Sequence, residues 1–248
     1  MIVQSALRTS SPALHSKRVF IHQLFTTIAP RYDWFNRLAS VGLDQRWRRQ
    51  AVAESHLSSG MRVLDLCTGT GDLAFLCAAA LNGNGLIVGL DFNPPMLHGA
   101  AQKYQRHARP MALTWMQADA EILPFRSGSF DRITIGFSTR NLSDLKAGIQ
   151  EMVRVLKNGG RLVILETGRP PNPFLRMGYL LFLATGARLI GWMLTGKVWP
   201  FTYLARSVKG FLRPAEFVAL ITACGAPARY VPLSLGFASL YVADKAAP

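Results

Sequence analysis

Short apolar runs alternate with stretches of helical periodicity along most of the chain. The runs are four to eight residues long, which suits buried strands, and they are Met61–Leu66, Leu86–Leu90, Leu113–Met116, Phe130–Phe137 and Arg161–Leu165. The predicted helices are Leu73–Leu81, Pro94–Tyr104, Leu145–Leu156 and Pro214–Cys224. The stretch Lys157–Gly160 is expected to end the third of them. Arg229–Pro232 and Phe237–Ala243 form a closing strand pair. This pattern predicts an α/β fold with a doubly wound, mostly parallel sheet of seven strands.

Two segments depart from the alternation. Val19–Trp47 combines apolar residues at near-helical spacing with aromatic and charged side chains, which predicts helices that pack on the sheet, cover a site, or do both. Within Pro170–Phe211, the stretch Phe174–Leu194 is almost wholly apolar and about as long as a membrane span. Because Arg188 and several glycines interrupt it, we interpret it as a helical pair that forms a lid over an apolar pocket. A transmembrane helix is the alternative.

The length and the apolar content suit one sizeable domain. The chain has 248 residues, of which 50% are hydrophobic, so it can bury a substantial core. We expect residues 1–18 to form a flexible N-terminal tail and residues 19–248 to form a single domain, with lid elements at about 19–50 and 170–211.

The charge balance is strongly basic. The formal net charge is +14, which favours either an anionic partner, such as a membrane surface or a charged substrate, or a solvated basic surface. Because no dense Lys/Arg run with interleaved aromatic residues is present, nucleic-acid binding is disfavoured. The three cysteines form no C-x-x-C pair, so we predict neither a metal site nor a disulfide framework, and a reducing cytoplasm fits.

A glycine turn follows the first predicted strand. Gly69 and Gly71 permit backbone angles that side chains disfavour, and Asp72 is placed to cap the next helix. A strand, a glycine turn and a helix together direct backbone N–H groups at a nucleotide-like ligand. A dinucleotide fingerprint requires G-x-G-x-x-G, and its third glycine is absent here.

Two carboxylates follow the next strands. Asp91 ends the second strand, 20 residues after Gly71, where a carboxylate can accept both hydroxyls of a ribose; a helix cap is the alternative. Asp119 follows the third strand, where it can accept an adenine amino group, or it is an ordinary loop acid. The spacing Asp65-x-Cys67-x-Gly69-x-Gly71 resembles the first motif of class I S-adenosylmethionine (SAM) methyltransferases, with Cys67 in place of the first glycine.

Further motifs resemble one family within that class. They are Tyr32-Asp33-x-x-Asn36 with Ser40-x-Gly42 and Trp47, Thr134-Ile135-Gly136-Phe137-Ser138-Thr139-Arg140-Asn141, and Glu151-Met152-x-Arg154-Val155-Leu156-Lys157-x-Gly159-Gly160-Arg161. Together they resemble the ubiquinone/menaquinone biosynthesis C-methyltransferases, over about Phe20 to Lys245. The resemblance implies a Rossmann-like domain that uses SAM as its cofactor.

The candidate cofactor-binding residues combine the glycine turn with positions carried over from the family. They are Asp65, Gly69, Thr70, Gly71, Asp91, Asn93, Asp119, Ala120 and Gly136. At Gly136 the family often has a serine, so that side-chain contact is absent here. Further departures from the family pattern occur at Ser138, Trp199–Phe201 and Arg206. These residues are expected around the acceptor pocket, so they affect the prediction of the ring type more than the prediction of the reaction.

The implied reaction is C-methylation of a prenylated hydroquinone. Demethylmenaquinol is the favoured acceptor, with a ubiquinone-pathway benzoquinol close behind; a sterol, a polyketide or another lipophilic acceptor is the alternative. Arg140 is expected to stabilise a ring phenolate, Asn141 to orient the second ring oxygen, and Tyr32 to position the ring or relay a proton. The competing interpretation of Arg140 and Asn141 is a structural pair that caps the following helix.

Other classes of function fit the residues less well. An NAD(P)-dependent oxidoreductase would need the missing glycine and a hydride-transfer site, and a lipid-binding module would not need Asp91 and Asp119. We expect a cytoplasmic protein that binds peripherally to the inner face of the cytoplasmic membrane, where its basic residues are attracted to an anionic leaflet. The oligomeric state is left open, with a homodimer among the alternatives.

Overall fold

The computed structural model describes residues 12–106 and 112–247, which form one seven-stranded sheet with helices around it. The strands are β1 (Arg62–Leu66), β2 (Leu86–Asp91), β3 (Leu113–Gln117), β4 (Phe130–Gly136), β5 (Leu156–Thr167), β6 (Ala228–Leu233) and β7 (Ala238–Asp244). Their order is β3-β2-β1-β4-β5-β7-β6, and only β7 runs antiparallel to its neighbours β5 and β6. The predicted fold class is confirmed.

Ten α-helices accompany the sheet in the described part of the chain. They are α1 (Pro12–Ile28), α2 (Tyr32–Ala39), α3 (Leu43–Glu54), α4 (Asp72–Leu81), α5 (Pro94–Gln105), α6 (Leu145–Val155), α7 (Pro173–Ala184), α8 (Gly186–Thr195), α9 (Trp199–Gly210) and α10 (Pro214–Ala223). A short 3-10 helix at Thr139–Asn141 follows β4.

The central strands are buried on both faces, as expected for parallel strands flanked by helices. Leu64 and Leu66 of β1 and Ile133 and Ile135 of β4 are all fully buried. β1 pairs with β2 on one side and with β4 on the other, so it occupies the middle of the parallel part. After β3 the chain returns to the middle of the sheet and adds β4 on the other side of β1. The point where the strand order switches therefore lies between β1 and β4, and ligands of such sheets bind there, at the carboxyl ends of the strands.

Packing beneath the glycine turn requires glycine at two positions. The ring of Trp115 on β3 lies across both Gly71 and Gly89. A Cβ atom at Gly89 would lie 2.5 Å from Cζ3 of that ring, and one at Gly71 would lie 2.7 Å from its Cη2. Gly71 also has a φ of +86°, which side chains disfavour. The turn is therefore held against the sheet by an aromatic ring.

Three predicted boundaries or roles differ from the structure. The first helix begins at Pro12, not at Val19, so residues 12–18, which were expected to belong to a flexible tail, form the first part of α1. Residues 1–11 lie outside the described residues. The residue that caps α4 is Gly71, while Asp72 accepts hydrogen bonds from Lys103 and Gln45 instead. Helix α6 ends at Val155, and β5 begins at once because Leu156 pairs with Phe130 of β4.

The two predicted lid segments pack against each other. Leu24 of α1 and Phe35 of α2 share one buried cluster with Leu183 of α7 and Phe201 of α9. The rings of Phe35 and Phe201 are 4.5 Å apart. The N-terminal helices and the insertion thus form a single cap, which we call the lid (α1–α3 and α7–α9).

The apolar stretch of the lid is long enough to cross a membrane. Pro173–Thr195 has 23 residues and a mean hydropathy of 1.4, and 17% of the hydropathy window is buried inside the protein. The structure divides this stretch at Thr185 into α7 and α8, which confirms the predicted helical pair.

Candidate active site

Three adjoining cavities lie at the carboxyl ends of the parallel strands, beneath the lid. The strand-end cavity contains about 660 Å³ of space, the lid cavity about 930 Å³ and the loop cavity about 330 Å³, each partly open to solvent. Tyr32 lines all three of them. Cys67 and Gly69 join the strand-end and loop cavities, while Phe25 and Asn141 join the strand-end and lid cavities.

Asp91 is the central carboxylate of the strand-end cavity. Its Oδ2 accepts the Gly69 N–H at 2.8 Å, and its Oδ1 accepts the Asn93 N–H at 2.9 Å. Burial raises the pKa of Asp91 to about 6, although the hydrogen bonds from the backbone of Asn93 and Gly69 act against that rise. Because each carboxylate oxygen has further lone pairs, Asp91 can still accept a pair of hydroxyls from the cavity.

Asn93 has a different role from the one expected. It lies at the N-terminus of α5, where its Oδ1 accepts the Met96 N–H at 3.2 Å. Its Nδ2 donates to the His22 carbonyl and to the Thr26 hydroxyl on α1. The side chain therefore caps one helix and ties it to the lid. It does not line the strand-end cavity.

The far end of the strand-end cavity is lined by Asp119 and Ala120 together with apolar side chains from Phe92, Met96 and Leu142. This combination suits a flat heterocycle that carries an amino group, such as adenine.

Arg18 of α1 covers that end. Its Nη2 lies 2.7 Å from Glu121 Oε2 and 3.3 Å from Asp119 Oδ2. Glu121 is buried and also accepts the Ser143 N–H, so it holds Arg18 against the loop after β4. The sequence motifs did not indicate Arg18, since α1 was expected to begin after it.

The glycine turn is supported from below by Asp65 of β1. Its carboxylate accepts the hydroxyl of Thr68 at 2.5 Å and that of Thr134 at 2.7 Å, and it lines the loop cavity. Burial raises the pKa of Asp65 to about 6, against the effect of these hydrogen bonds. Cys67 has a φ of +49°, so it adopts the left-handed backbone that a glycine would favour at this motif position.

The other side of the turn is joined to the lid. The Thr70 hydroxyl donates to Asp33 Oδ1 at 2.6 Å, and Lys103 of α5 contacts both Asp33 and Asp72 at 2.6 Å. Two carboxylates and one ammonium thus connect the start of α2 to the turn. Lys103 belongs to none of the motifs, and only the fold brings it here.

Gly136 ends β4 and lines the loop cavity. A Cβ atom there would lie 3.5 Å from Leu73, an ordinary contact distance, so a serine would fit where this chain has glycine. The space that such a side chain would take remains part of the cavity.

Arg140 lies in the lid cavity and is held from behind by a buried acid. Its Nη1 donates to Glu166 Oε1 and to the Phe137 carbonyl, the latter at 2.6 Å. Glu166, at the end of β5, is fully buried and also accepts the Thr139 hydroxyl. The Nε of Arg140 is buried and has no hydrogen-bond partner among the described residues. Glu166 was not among the expected site residues, although it ends a predicted strand.

Asn141 and Tyr203 form a second polar group in the lid cavity. The Tyr203 hydroxyl donates to Asn141 Oδ1 at 3.2 Å, which links α9 to the loop after β4. The residue that caps α6 is Asp144, whose Oδ1 accepts the Ala147 N–H. Arg140 and Asn141 therefore do not cap that helix, and both lie in the cavity.

Solved structures of SAM-dependent methyltransferases share this fold. One from Aquifex aeolicus superposes with a TM-score of 0.62 at 16% identity, and the match covers 86% of this chain and 97% of that one. The CurJ carbon methyltransferase superposes with a TM-score of 0.56 at 19% identity and covers 76% of this chain and 49% of that one. Such low identities establish the fold alone, which is that of the class I SAM-dependent methyltransferases.

The sequence assigns the chain within that class. Residues 13–245 match the ubiE/COQ5 methyltransferase family. A demethylmenaquinone methyltransferase from Thermus thermophilus is 40% identical over 222 residues, which is 90% of this chain and 100% of that protein. A ubiquinone/menaquinone biosynthesis C-methyltransferase UbiE from Geotalea uraniireducens is 37% identical over 226 residues, 91% of this chain and 96% of that protein. The chain belongs to the ubiE/COQ5 methyltransferase family, and its cofactor is SAM.

The residues of the cavities fit that cofactor. Asp91 presents a carboxylate for the ribose, and the apolar wall with Asp119 suits the adenine ring. A Cβ atom at Gly69 would meet only Tyr32 within 4 Å, at 3.9 Å, so the turn leaves room for close approach of a ligand. The expected cofactor positions Asp91, Asp119 and Ala120 therefore lie around one cavity, which Gly69 joins to the loop cavity.

The pKa of Asp91 leads to a test of its role. The ionised carboxylate is the better acceptor for ribose hydroxyls, so protonation and ligand binding compete. We expect the affinity for 5′-methylthioadenosine, which has the adenine and ribose but lacks the amino-acid tail, to fall as the pH drops through about 6. The fall approaches about tenfold per pH unit below the pKa. Titration calorimetry between about pH 5 and 8 measures it.

The matched control is Asp91→Asn. This variant keeps the shape but has no carboxylate to protonate, so its affinity should be low and nearly independent of pH over the same range. A wild-type affinity that stays constant down to pH 5 would contradict ribose binding by Asp91.

Proposed function

We propose that the protein methylates a ring carbon of a prenylated hydroquinone, with demethylmenaquinol as the favoured acceptor and a ubiquinone-pathway benzoquinol as the close alternative. The lid cavity is the observation that carries this proposal. It adjoins the cofactor cavities and is largely apolar, and the polar residues that line it include Arg140 and Asn141. The names of the two relatives, which refer to demethylmenaquinone and to ubiquinone/menaquinone biosynthesis, support the same acceptor class.

The lining of the lid cavity suits a ring that carries a hydrocarbon tail. Aromatic and aliphatic side chains come from both halves of the lid and from the loop after β4; they include Leu24, Phe25, Ile28, Phe35, Trp47, Phe137, Phe182, Leu183, Phe201 and Leu204. The cavity is partly open to solvent, so the lid does not have to enclose the whole ligand. The tail can then lie among the lid helices while the ring reaches Arg140 and Asn141.

Arg140 supplies the positive charge that a hydroquinone anion needs. Arginine stays protonated, so it cannot remove the ring proton, but it stabilises the phenolate and so lowers the pKa of the bound hydroxyl. Its hydrogen bonds to Glu166 and Phe137 fix the guanidinium group. Its Nη2 makes no hydrogen bond among the described residues, so this nitrogen is the donor that remains for a ring oxygen.

Asn141 and Tyr32 act on the ring from other directions. Asn141 is held through its Oδ1 by Tyr203, which leaves its Nδ2 as a donor for the second ring oxygen. Tyr32 lies where all three cavities meet. Burial raises the pKa of Tyr32, so at neutral pH it is a hydroxyl that positions or relays rather than a base.

The chemistry is the exchange of one bond for another. SAM carries a methyl group on a cationic sulfonium, and transfer to a nucleophilic ring carbon breaks S–CH3, forms C–CH3 and leaves S-adenosylhomocysteine. The ring hydroxyl gives up its proton to solvent when the phenolate forms. After transfer the methylated carbon loses its proton and the ring oxygen regains one, which restores the aromatic hydroquinol, so that one proton is released overall. The task of the protein is to hold the phenolate form, to align the carbon at the junction of the cavities and to exclude water.

An isotope-transfer experiment tests the acceptor. The protein is incubated with methyl-labelled SAM and either reduced demethylmenaquinone or its benzoquinone-pathway counterpart. We expect label in the carbon-methylated naphthoquinol, and less in the benzoquinol. The oxidised quinones are the control and should take up no label, because their ring carbons are not nucleophilic. Label in neither hydroquinone would refute the proposed function.

A charge substitution tests the role of Arg140. Arg140→Met should lower turnover by about 100-fold or more, the usual effect of removing a donor that stabilises developing negative charge. Affinity for S-adenosylhomocysteine should stay near that of the wild type, because Arg140 does not line the strand-end cavity. Turnover in saturating acceptor and binding by calorimetry measure the two effects separately.

Glu166 requires a second variant in that experiment. Loss of Arg140 alone leaves a buried carboxylate without its ion pair, which destabilises the fold. Arg140→Met combined with Glu166→Gln removes both charges, so we expect a stable but still inactive protein. Near wild-type turnover in this double variant would show that Arg140 does not stabilise the phenolate.

We also propose that the protein is cytoplasmic and binds the inner face of the cytoplasmic membrane through the lid. Exposed apolar side chains follow a helical spacing on three contacting helices, and they are Trp34, Leu38 and Val41 on or next to α2, Phe174, Met177 and Leu181 on α7, and Leu189, Trp192 and Met193 on α8. An amphipathic surface of this kind suits the boundary between lipid headgroups and chains.

The charge distribution favours an anionic leaflet. Between Thr167 and Ala215 the chain has seven basic residues and no Asp or Glu: Arg169, Arg176, Arg188, Lys197, Arg206, Lys209 and Arg213. These seven charges equal half of the formal net charge of +14. Basic residues near an anionic surface contribute about 1 kcal/mol each at low salt.

Vesicle sedimentation tests the membrane proposal. We expect binding to vesicles rich in phosphatidylglycerol at low salt, and much weaker binding to pure phosphatidylcholine or at high salt, because the attraction is screened. Phe174→Ser with Trp192→Ser should weaken binding several-fold. Leu86→Ser is the matched control, since Leu86 is exposed at the opposite, amino-terminal end of β2. Equal binding by all three proteins would exclude the lid face.

A further inference from the structure

The loop cavity is lined by a buried cation that has no role in the proposed methylation. Arg48 of α3 is 6% exposed, and its side chain lines this cavity together with Asp65, Gly69 and Thr70. A buried guanidinium normally pairs with an anion, because removing a charge from water is costly. Asp44 supplies one such anion, and the part of Arg48 that borders the cavity is in a position to receive a second.

The known contacts of Arg48 leave part of its guanidinium available. Its Nη1 donates to Asp44 Oδ2 at 2.7 Å, and its Cζ lies 5.3 Å from the centre of the Phe137 ring. Arginine has five N–H donors. No further hydrogen bond of this guanidinium is found among residues 12–106 and 112–247.

The loop cavity also contains an acid of opposite charge. Asp65 lines the same space, and its two oxygens are fixed by Thr68 and Thr134. The other acid on the wall, Asp72, already pairs with Lys103. A ligand group with one positive and one negative charge matches this arrangement, and the α-amino and α-carboxylate groups of an amino acid are such a pair.

The position of the loop cavity tells which ligand brings that group. Asp91 receives the ribose in the strand-end cavity, and Gly69, whose N–H bonds to Asp91, borders both cavities. Whatever extends from the ribose past Gly69 and Cys67 therefore enters the loop cavity. SAM carries its methionine portion on the ribose.

We propose that Arg48 binds the α-carboxylate of the methionine portion of SAM, while Asp65 faces its α-ammonium. The proposal rests on SAM as the cofactor and is independent of which acceptor is methylated. Arg48 is on α3, a helix of the lid, so the cofactor contacts the lid as well as the sheet. Asp44, the partner of Arg48, lines the lid cavity, which connects this contact to the acceptor side.

A pair of ligands isolates the carboxylate. S-adenosylhomocysteine has the amino-acid tail and 5′-methylthioadenosine does not, so the ratio of their affinities measures the contribution of the tail. We expect Arg48→Met to weaken S-adenosylhomocysteine binding by about 10- to 100-fold, the value of one lost charge-assisted hydrogen-bonding group. Its affinity for 5′-methylthioadenosine should stay within about twofold of the wild type, since that ligand does not reach Arg48. Calorimetry at pH 7.5 measures both.

Two further variants make the result decisive. Arg49→Met changes an exposed arginine on the same helix, and both affinities should be unchanged. Arg48→Lys keeps the charge and the pair with Asp44 but loses the planar fork, so the tail contribution should be partly retained.

Two outcomes would overturn the proposal. One is an unchanged affinity of Arg48→Met for S-adenosylhomocysteine. The other is an equal loss of both ligands in Arg48→Lys, which would show that Arg48 supports only the fold. A failure of the proposed methylation would leave this assay unaffected, because no acceptor is present in it.

Discussion

The hydrogen bond between the Gly69 N–H and the Asp91 carboxylate is the contact on which the site depends. It joins the turn after β1 to the end of β2, so the position of one strand end fixes the other. The Thr68 N–H donates to the Leu90 carbonyl at 2.9 Å beside it, which continues the sheet pairing into the turn. Because Asp91 is buried, an alternative arrangement would leave a charge without partners.

The lid depends on the same turn. Thr70 bonds to Asp33 at the start of α2, and Asn93, which follows Asp91, bonds to α1. The N-terminal helices are therefore attached to Thr70 of the glycine turn and to Asn93 at the start of α5, while their apolar faces pack on α7 and α9. A polar attachment on one side and an apolar one on the other define the space between them, which is the lid cavity.

Much of this arrangement could be predicted from the sequence. Strand and helix order follows from periodicity, and the carboxyl ends of parallel strands must converge, so Asp91, Asp119 and Arg140 could be placed at one edge of the sheet. Arg18, Lys103 and Arg48 could not be placed in this way. They lie on helices and not at strand ends, so only tertiary packing brings them to the cavities. Asn93 was expected among the cofactor-binding residues, whereas its side chain caps α5 and bonds to α1.

The wall between the cofactor cavities and the lid cavity has an energetic consequence. Phe25 and Tyr32 each line both the strand-end and the lid cavity, so one side chain presents opposite faces to two different ligands. A shift of either side chain on binding of one ligand would change the wall that the other ligand contacts. Linkage then requires the effect to be mutual: whatever factor the cofactor adds to acceptor affinity, the acceptor adds to cofactor affinity. Where that factor is greater than one, the ternary complex is favoured over either half-occupied state, and the acceptor is held best when the methyl donor is also bound.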